Sequence, residues 1–227
     1  MKRYLRNMEA ITAEEMELLK KSRVCVVGCG GLGGYIIEML ARVGVGYIKA
    51  IDGDVFDETN LNRQLVSHSQ NIGKSKVVET KRRIELVNPY ICIEAIDTML
   101  DKSNVLSLLK DHDVIVDALD NFKTRKIIQD SSKKLNIPMI HGAIGGFYGQ
   151  VTTIFPNDNT LDFLYPEGNK VDKGIEKELG NPSFTPPLIA AIQVAEVIKI
   201  LIKRGELLRK KVLLIDLLNN SYDIIEL

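Results

Sequence analysis

The chain has 227 residues, 45% of them hydrophobic and 26% charged, enough apolar material for a buried core and too much for a disordered or fibrous polypeptide. Lys and Arg number 30, as do Asp and Glu, so the formal net charge is zero. No global basic field then draws the protein to nucleic acid or an anionic membrane, and an anionic ligand has to be held by a few local cations. Three cysteines without a C-x-x-C pair, and an N-terminus without a charged stretch leading into an apolar signal core, make a reducing, cytoplasmic setting the expectation.

In chain order, a basic arm (Lys2-Arg3-Tyr4-Leu5-Arg6) precedes a short helix marked by Thr12 and Glu15 in capping-box spacing and by Met16, Leu18 and Leu19, so that residues 1–22 read as an arm and a helix. Val24 to Val27 is a buried strand, Gly28 to Gly34 a glycine turn and Tyr35 to Val43 a helix. A second strand, Tyr47 to Ile51, ends at Asp52. Next come a helix over about 74–87, a strand over 91–96, a strand over 114–116 ending at Asp117, a helix over about 121–135 and a strand from Met139 to His141, until Gly145-Gly146 breaks the rhythm. Gln150 to Phe155 alternates like a strand, and 156–182 is polar and without pattern, as in a mobile lid or binding loop. Pro187 to Lys203 carries Gln193, Glu196 and Lys199 at near-helical spacing, which reads as an amphipathic core helix with one polar stripe rather than a membrane span. Two strands, 212–217 and 222–225, close the chain through the Asn219-Asn220 turn. Strands alternating with helices predict a single α/β domain over 1–227, Rossmann-like, with a mostly parallel sheet flanked by helices and antiparallel C-terminal strands.

Gly28-Cys29-Gly30-Gly31-Leu32-Gly33 fits G-x-G-x-x-G between a strand and a helix, where Gly28, Gly30, Gly31 and Gly33 permit a tight turn and close approach to phosphate. The helix N-terminus adds about half a positive charge. Asp52, nineteen residues past Gly33, is placed to accept hydrogen bonds from ribose hydroxyls. This pairing is shared with dinucleotide dehydrogenases.

The segments beyond Asp52 separate the two classes. Asn60-Leu61-Asn62-Arg63-Gln64, Gly73-Lys74-Ser75-Lys76 and Asp117-Ala118-Leu119-Asp120-Asn121, taken with Gly-x-Gly-Gly-Leu-Gly and Arg3-Tyr4-x-Arg6, resemble the ThiF/MoeB/HesA family of ubiquitin-activating-type adenylating enzymes over nearly the whole chain. The resemblance implies ATP and Mg²⁺ as ligands and places Gly31, Asp52, Asn60, Arg63, Lys76, Asp120 and Asn121 on nucleotide-binding positions. The family chemistry, attack of a carboxylate on the α-phosphorus of ATP with loss of pyrophosphate, needs developing negative charge neutralised. Arg63 can grip phosphate with a planar fork, Lys76 can act as a point charge at the leaving pyrophosphate, and Asp120 can hold Mg²⁺. Asn62 and Gln64 join this binding set, and Asp54 stands behind it. Arg6 matches the arginine that relatives insert into the partner subunit's site, implying a homodimer.

Around this set the alternatives are plainer. Asp57 suits a cap for the turn at Thr59, Asp117 suits the backbone at its strand end, and Arg125 suits either the substrate tail or a surface ion pair. His68, His112 and His141 lack helical metal spacing and read as structural or solvated. Many relatives carry two C-x-x-C pairs for zinc and a transfer cysteine in a crossover loop, here expected over 157–187; this chain has neither, so no zinc is expected. Cys25 and Cys92 fall in apolar strands as inert thiols, and Cys29 has a geometric role. The implied activity is adenylation of the C-terminal glycine of a small ubiquitin-like, ThiS- or MoaD-like sulfur carrier ending in Gly-Gly, with a sulfur donor protein acting later. The alternatives are a tRNA threonylcarbamoyladenosine dehydratase-like activation of a small carboxylate, an inactive subunit, and a dinucleotide-binding protein.

Overall fold

In the computed structural model, which describes residues 2–166 and 176–227, the apolar runs form one sheet of eight strands in the order β3-β2-β1-β4-β5-β6-β7-β8. β1 (Arg23–Val27) lies between β2 (Tyr47–Asp52) and β4 (Val114–Asp117), with β3 (Cys92–Asp97) and β5 (Met139–Gly145) outside them, all parallel. β6 (Tyr148–Ile154), β7 (Lys211–Asp216) and β8 (Ser221–Glu226) add on antiparallel. The expected Rossmann-like sheet with antiparallel closing strands is present.

Burial on both faces explains why β1 is an unbroken apolar run. Val24 and Val26 point into a core made with α1 (Ala13–Lys21), α2 (Gly33–Val43), α3 (Lys76–Val87) and α8 (Thr185–Ile202), while Cys25 and Val27 point into a second core with α4 (Val105–Leu109), α5 (Phe122–Leu135) and α6 (Thr160–Leu164). α7 (Glu176–Leu179) precedes α8. The Thr12–Glu15 capping box forms as its spacing predicts, and Ser75 and Asn121 cap α3 and α5.

Three expectations change. The glycine break at 145–146 is the turn of a β5–β6 hairpin, whose strands run longer than predicted. The patternless 156–182 stretch contains α6 and α7, and the middle of the expected crossover loop 157–187, residues 167–175, lies outside the described residues. The polar stripe of α8 faces inward: Gln193 is 0% and Glu196 1% exposed. Gln193 Nε2 donates to the Asp117 carbonyl at 3.0 Å, and Glu196 Oε2 accepts from Thr153 Oγ1 and from Leu208 N–H, the latter at 2.8 Å. Among the described residues α8 is the one helix long and apolar enough to cross a bilayer, and it packs on β4, β5, β6 and α2.

Candidate nucleotide site

Strand order reverses direction between β1 and β4, and ligands of open parallel sheets settle beyond the strand carboxyl ends at such a point. A cavity of about 380 Å³ lies there. Its floor is the glycine loop. Gly28 has φ +100°, its N–H donates to the Ile51 carbonyl at 2.8 Å, and Ala118 N–H donates to the Val27 carbonyl at 2.9 Å, so both neighbouring strands pin the turn. No side chain caps α2, whose N-cap residue Leu32 lines the cavity, so the positive end of the helix dipole lies at the cavity, and Gly34 N–H donates to the Gly30 carbonyl at 3.2 Å.

Of the predicted residues, Gly28, Gly30, Gly31, Asp52, Asp54, Arg63, Gln64, Lys76, Asp120 and Asn121 line this one cavity. Asp52 Oδ2 accepts from Cys29 N–H at 2.6 Å and Oδ1 from Asp54 N–H at 2.8 Å, and burial pushes its pKa up. Lys76 is buried, with Nζ 3.1 Å from Asp54 Oδ2, so Asp54, itself on the wall, also pairs with the cavity's lysine. Arg63 Nη1 donates to the Thr59 carbonyl and to Asn62 Oδ1, both at 2.9 Å, and no carboxylate pairs with it among the described residues. Asp57 Oδ1 accepts from Thr59 N–H at 2.9 Å, the expected cap, and so steadies the turn under Arg63. Asp120 is exposed on the wall, its side chain without hydrogen bond or ion pair among the described residues.

Four predicted residues do not line the cavity. Gly33 is required by packing, since a Cβ there would sit 1.8 Å from the Gly28 carbonyl oxygen. Asn60 is buried, and its Oδ1 accepts from Asp57 N–H at 3.0 Å in a reciprocal cap. Asn62 Nδ2 donates to the Asn181 carbonyl at 2.9 Å, tying the Arg63 turn to the chain before α8. Arg6 is exposed on an arm anchored elsewhere: Tyr4 Oη accepts from Asn88 Nδ2 at 2.7 Å, and the Arg3 guanidinium lies 4.8 Å from the Tyr90 ring centre. Asn88 caps the far end of α3, about 18 Å along the helix axis from Lys76.

Thr98, Met99 and Leu100 beyond β3, together with Thr124, Ile144 and Asn181, complete the wall, and the sequence patterns single out none of them. Arg125 is not in a surface ion pair; it is buried, with Nε 3.4 Å from Asp117 Oδ2, and it lines a second cavity. His112 and His141 are buried and His68 is exposed. Cys25 and Cys29 are buried thiols pushed up by desolvation, Cys25 to about 12, whereas Cys92 is exposed because it opens the edge strand β3.

The residues present suit a nucleoside triphosphate. Gln64 Oε1 and Asn181 Oδ1 are buried polar atoms on the wall with no hydrogen-bond partner among the described residues. Gly30 and Gly31 form a cradle: a Cβ at Gly31 would lie 3.8 Å from Pro186 and fill space above the loop without displacing backbone. Gly31→Ala is therefore expected to leave the melting temperature within about 2 °C of wild type while lowering nucleotide affinity at least tenfold. Thermal melts beside titration with a fluorescent ATP analogue check this, and unchanged affinity would remove the cradle.

A family model, described as the ThiF family, matches residues 3–227. The chain belongs to the ThiF family. This ThiF-family protein is 36% identical to the SAMP-activating enzyme E1 of Haloferax volcanii, over 98% of this chain and 84% of that protein. It is 32% identical to the sulfur carrier protein adenylyltransferase of Thermus thermophilus, over 97% of this chain and 84% of that protein. The probable adenylyltransferase/sulfurtransferase MoeZ of Mycobacterium tuberculosis is 34% identical, and this chain spans 54% of it. The crystal structure of E. coli MccB with ATP shares the fold, with a TM-score of 0.81 at 23% identity over 99% of this chain and 70% of that one. Family and named relatives make this ThiF-family chain an adenylyltransferase.

Proposed function

We propose that this chain uses Mg·ATP to adenylate the C-terminal glycine carboxylate of a small ubiquitin-like sulfur carrier. One observation carries the reading. The nucleotide cavity adjoins a second cavity of about 520 Å³, the two sharing Ile144, and the second is lined by Gly145, Gly149, Tyr148 and Gln150, with Arg125 on its wall. A groove floored by glycines accepts a slim extended peptide end and leads it to where an α-phosphate lies if the remaining phosphates occupy the glycine loop. The relatives named for SAMP activation and sulfur-carrier adenylylation support the same substrate class.

A carboxylate oxygen bonds to the α-phosphorus while the bond to the bridging oxygen breaks, and pyrophosphate leaves with the electron pair. Arg63 and the positive end of α2 hold the phosphate chain in line, Lys76 stabilises charge on the leaving group, and Asp52 accepts from the ribose hydroxyls. Asp120, a carboxylate on the wall without a protein partner among the described residues, is the residue that would hold Mg²⁺ through a hard oxygen. Mg²⁺ supplies charge neutralisation at the phosphates. Arg6, remote from its own cavity, acts in the partner's site of a homodimer. The reaction stops at the adenylate, which an external sulfur donor then attacks.

ATP–pyrophosphate exchange, run with Mg²⁺ and a panel of carriers, tests the proposal. Exchange is expected with one carrier and is lost when its terminal glycine is deleted. ATP binding without exchange on any carrier overturns it in favour of another carboxylate, such as one borne on tRNA.

A further inference from the structure

Behind the cavity, the last residue of β4 is held from several sides. Asp117 is fully buried. Its Oδ1 accepts from Leu119 N–H at 3.1 Å, its Oδ2 lies 2.7 Å from His141 Nδ1 and 3.4 Å from Arg125 Nε, and its carbonyl accepts from Gln193. Arg125 Nη2 donates to the Leu119 carbonyl. The backbone fixed in this way runs straight into Asp120 and Asn121.

On its other side, His141 Nε2 lies 3.2 Å from the Tyr165 hydroxyl, which accepts from Gln150 Nε2 at 2.6 Å. Gln150 Nε2 also lies 3.3 Å from His141 Nε2, so the imidazole touches both groove residues on one side and Asp117 on the other. The result is a contact chain from Gln150 and Tyr165 through His141 to Asp117. Tyr165 is the C-cap of α6, and its ring packs at a 55° tilt against Phe122, the first residue of α5, with the ring centres 5.1 Å apart.

The placement of the two ends is informative. Gln150, Tyr165 and Arg125 line the second cavity, and Leu119, Asp120 and Asn121 line the first. Packing alone is served better by apolar side chains, because buried polar networks lose more than they gain unless every member is satisfied.

We propose that His141 and Tyr165 are positioning residues for adenylation, setting the Leu119–Asn121 loop by reference to the groove that takes the acyl tail. The role in adenylation rests on the function proposed above; the coupling of groove to loop does not.

Tyr165→Phe removes one hydroxyl and keeps the ring. His141→Asn keeps an N–H for Asp117 and removes the ring nitrogen that faces Tyr165 and Gln150, and if it fails to fold, Tyr165→Phe carries the test. Amide hydrogen exchange over peptides spanning 117–125 is measured together with pyrophosphate-exchange kinetics. Expected are exchange about tenfold faster in that peptide and a kcat about tenfold lower, with KM for ATP held within about twofold because the glycine loop, Asp52 and Arg63 still bind the nucleotide. Wild-type amide rates overturn the coupling whatever the activity. Faster amides with a wild-type kcat overturn the positioning role. Should the wild-type protein show no exchange on any carrier, adenylation of a carrier is what fails, and the amide rates still decide the coupling.

Discussion

Arg63→Ala and Lys76→Ala are each expected to lower ATP–pyrophosphate exchange by about 10²–10³-fold, the range for removing one preorganised group that stabilises charge in the transition state. The fold is expected to tolerate both. Arg63 donates to neutral oxygens of its own turn, so its loss strands no buried charge. Lys76 is buried, but its partner Asp54 has a side chain 52% exposed and is resolvated by water when the ammonium goes. Circular dichroism melts within a few degrees of wild type, beside collapsed exchange, are the expected pair of results. Wild-type exchange in either variant removes that cation from the phosphates.

The second large effect falls on stability. Gly33→Ala places a methyl 1.8 Å from the Gly28 carbonyl oxygen, which is backbone and cannot rotate away, so α2 has to separate from the turn beneath it. A loss of about 3 kcal/mol or more is expected, lowering the melting temperature of a chain this size by roughly 6–12 °C. The contrast with Gly31→Ala separates glycines required by packing from glycines required by the ligand. A Gly33→Ala protein with a wild-type melt shows that the loop and helix do not touch in solution.

The N-terminal half of the fold was legible because its signals are local. Strands buried on both faces must be continuous apolar runs, and Thr12 with Glu15, or the glycines after Val27, mark the boundaries between elements. α4 and α6 escaped because five residues are too few to display a helical period. The inward turn of Gln193 and Glu196 escaped for a different reason. Amphipathic reasoning sends polar residues to water, whereas here the Asp117 carbonyl and the Leu208 amide need partners inside the core, and these side chains supply them.

In the site, Gly28, Gly30, Gly31 and Asp52 could be read from the strand–turn–helix pattern, and Arg63, Lys76 and Asp120 from the family motifs. Asn60 was assigned to the nucleotide although Asp57-x-x-Asn60 has the spacing of a reciprocal cap, the one sign that its side chain serves its own turn. Thr98 to Leu100 and Asn181 fall in no motif. They reach the cavity only because β3 ends on the same edge as β1 and because the chain entering α8 crosses that edge, facts of topology that no local window contains.

That pinned turn bears on how the chain folds. Gly28 is tied to residue 51 on one side, and Val27 to residue 118 on the other, a closure of about ninety residues that is made only when β4 docks on β1. Such long-range parallel pairings are slow to form, because the chain loses loop-closure entropy before the contacts repay it. A nucleotide therefore has its full site only once that closure is made. It acts on the finished molecule, holding the native state together by mass action and lengthening its lifetime rather than hastening its birth.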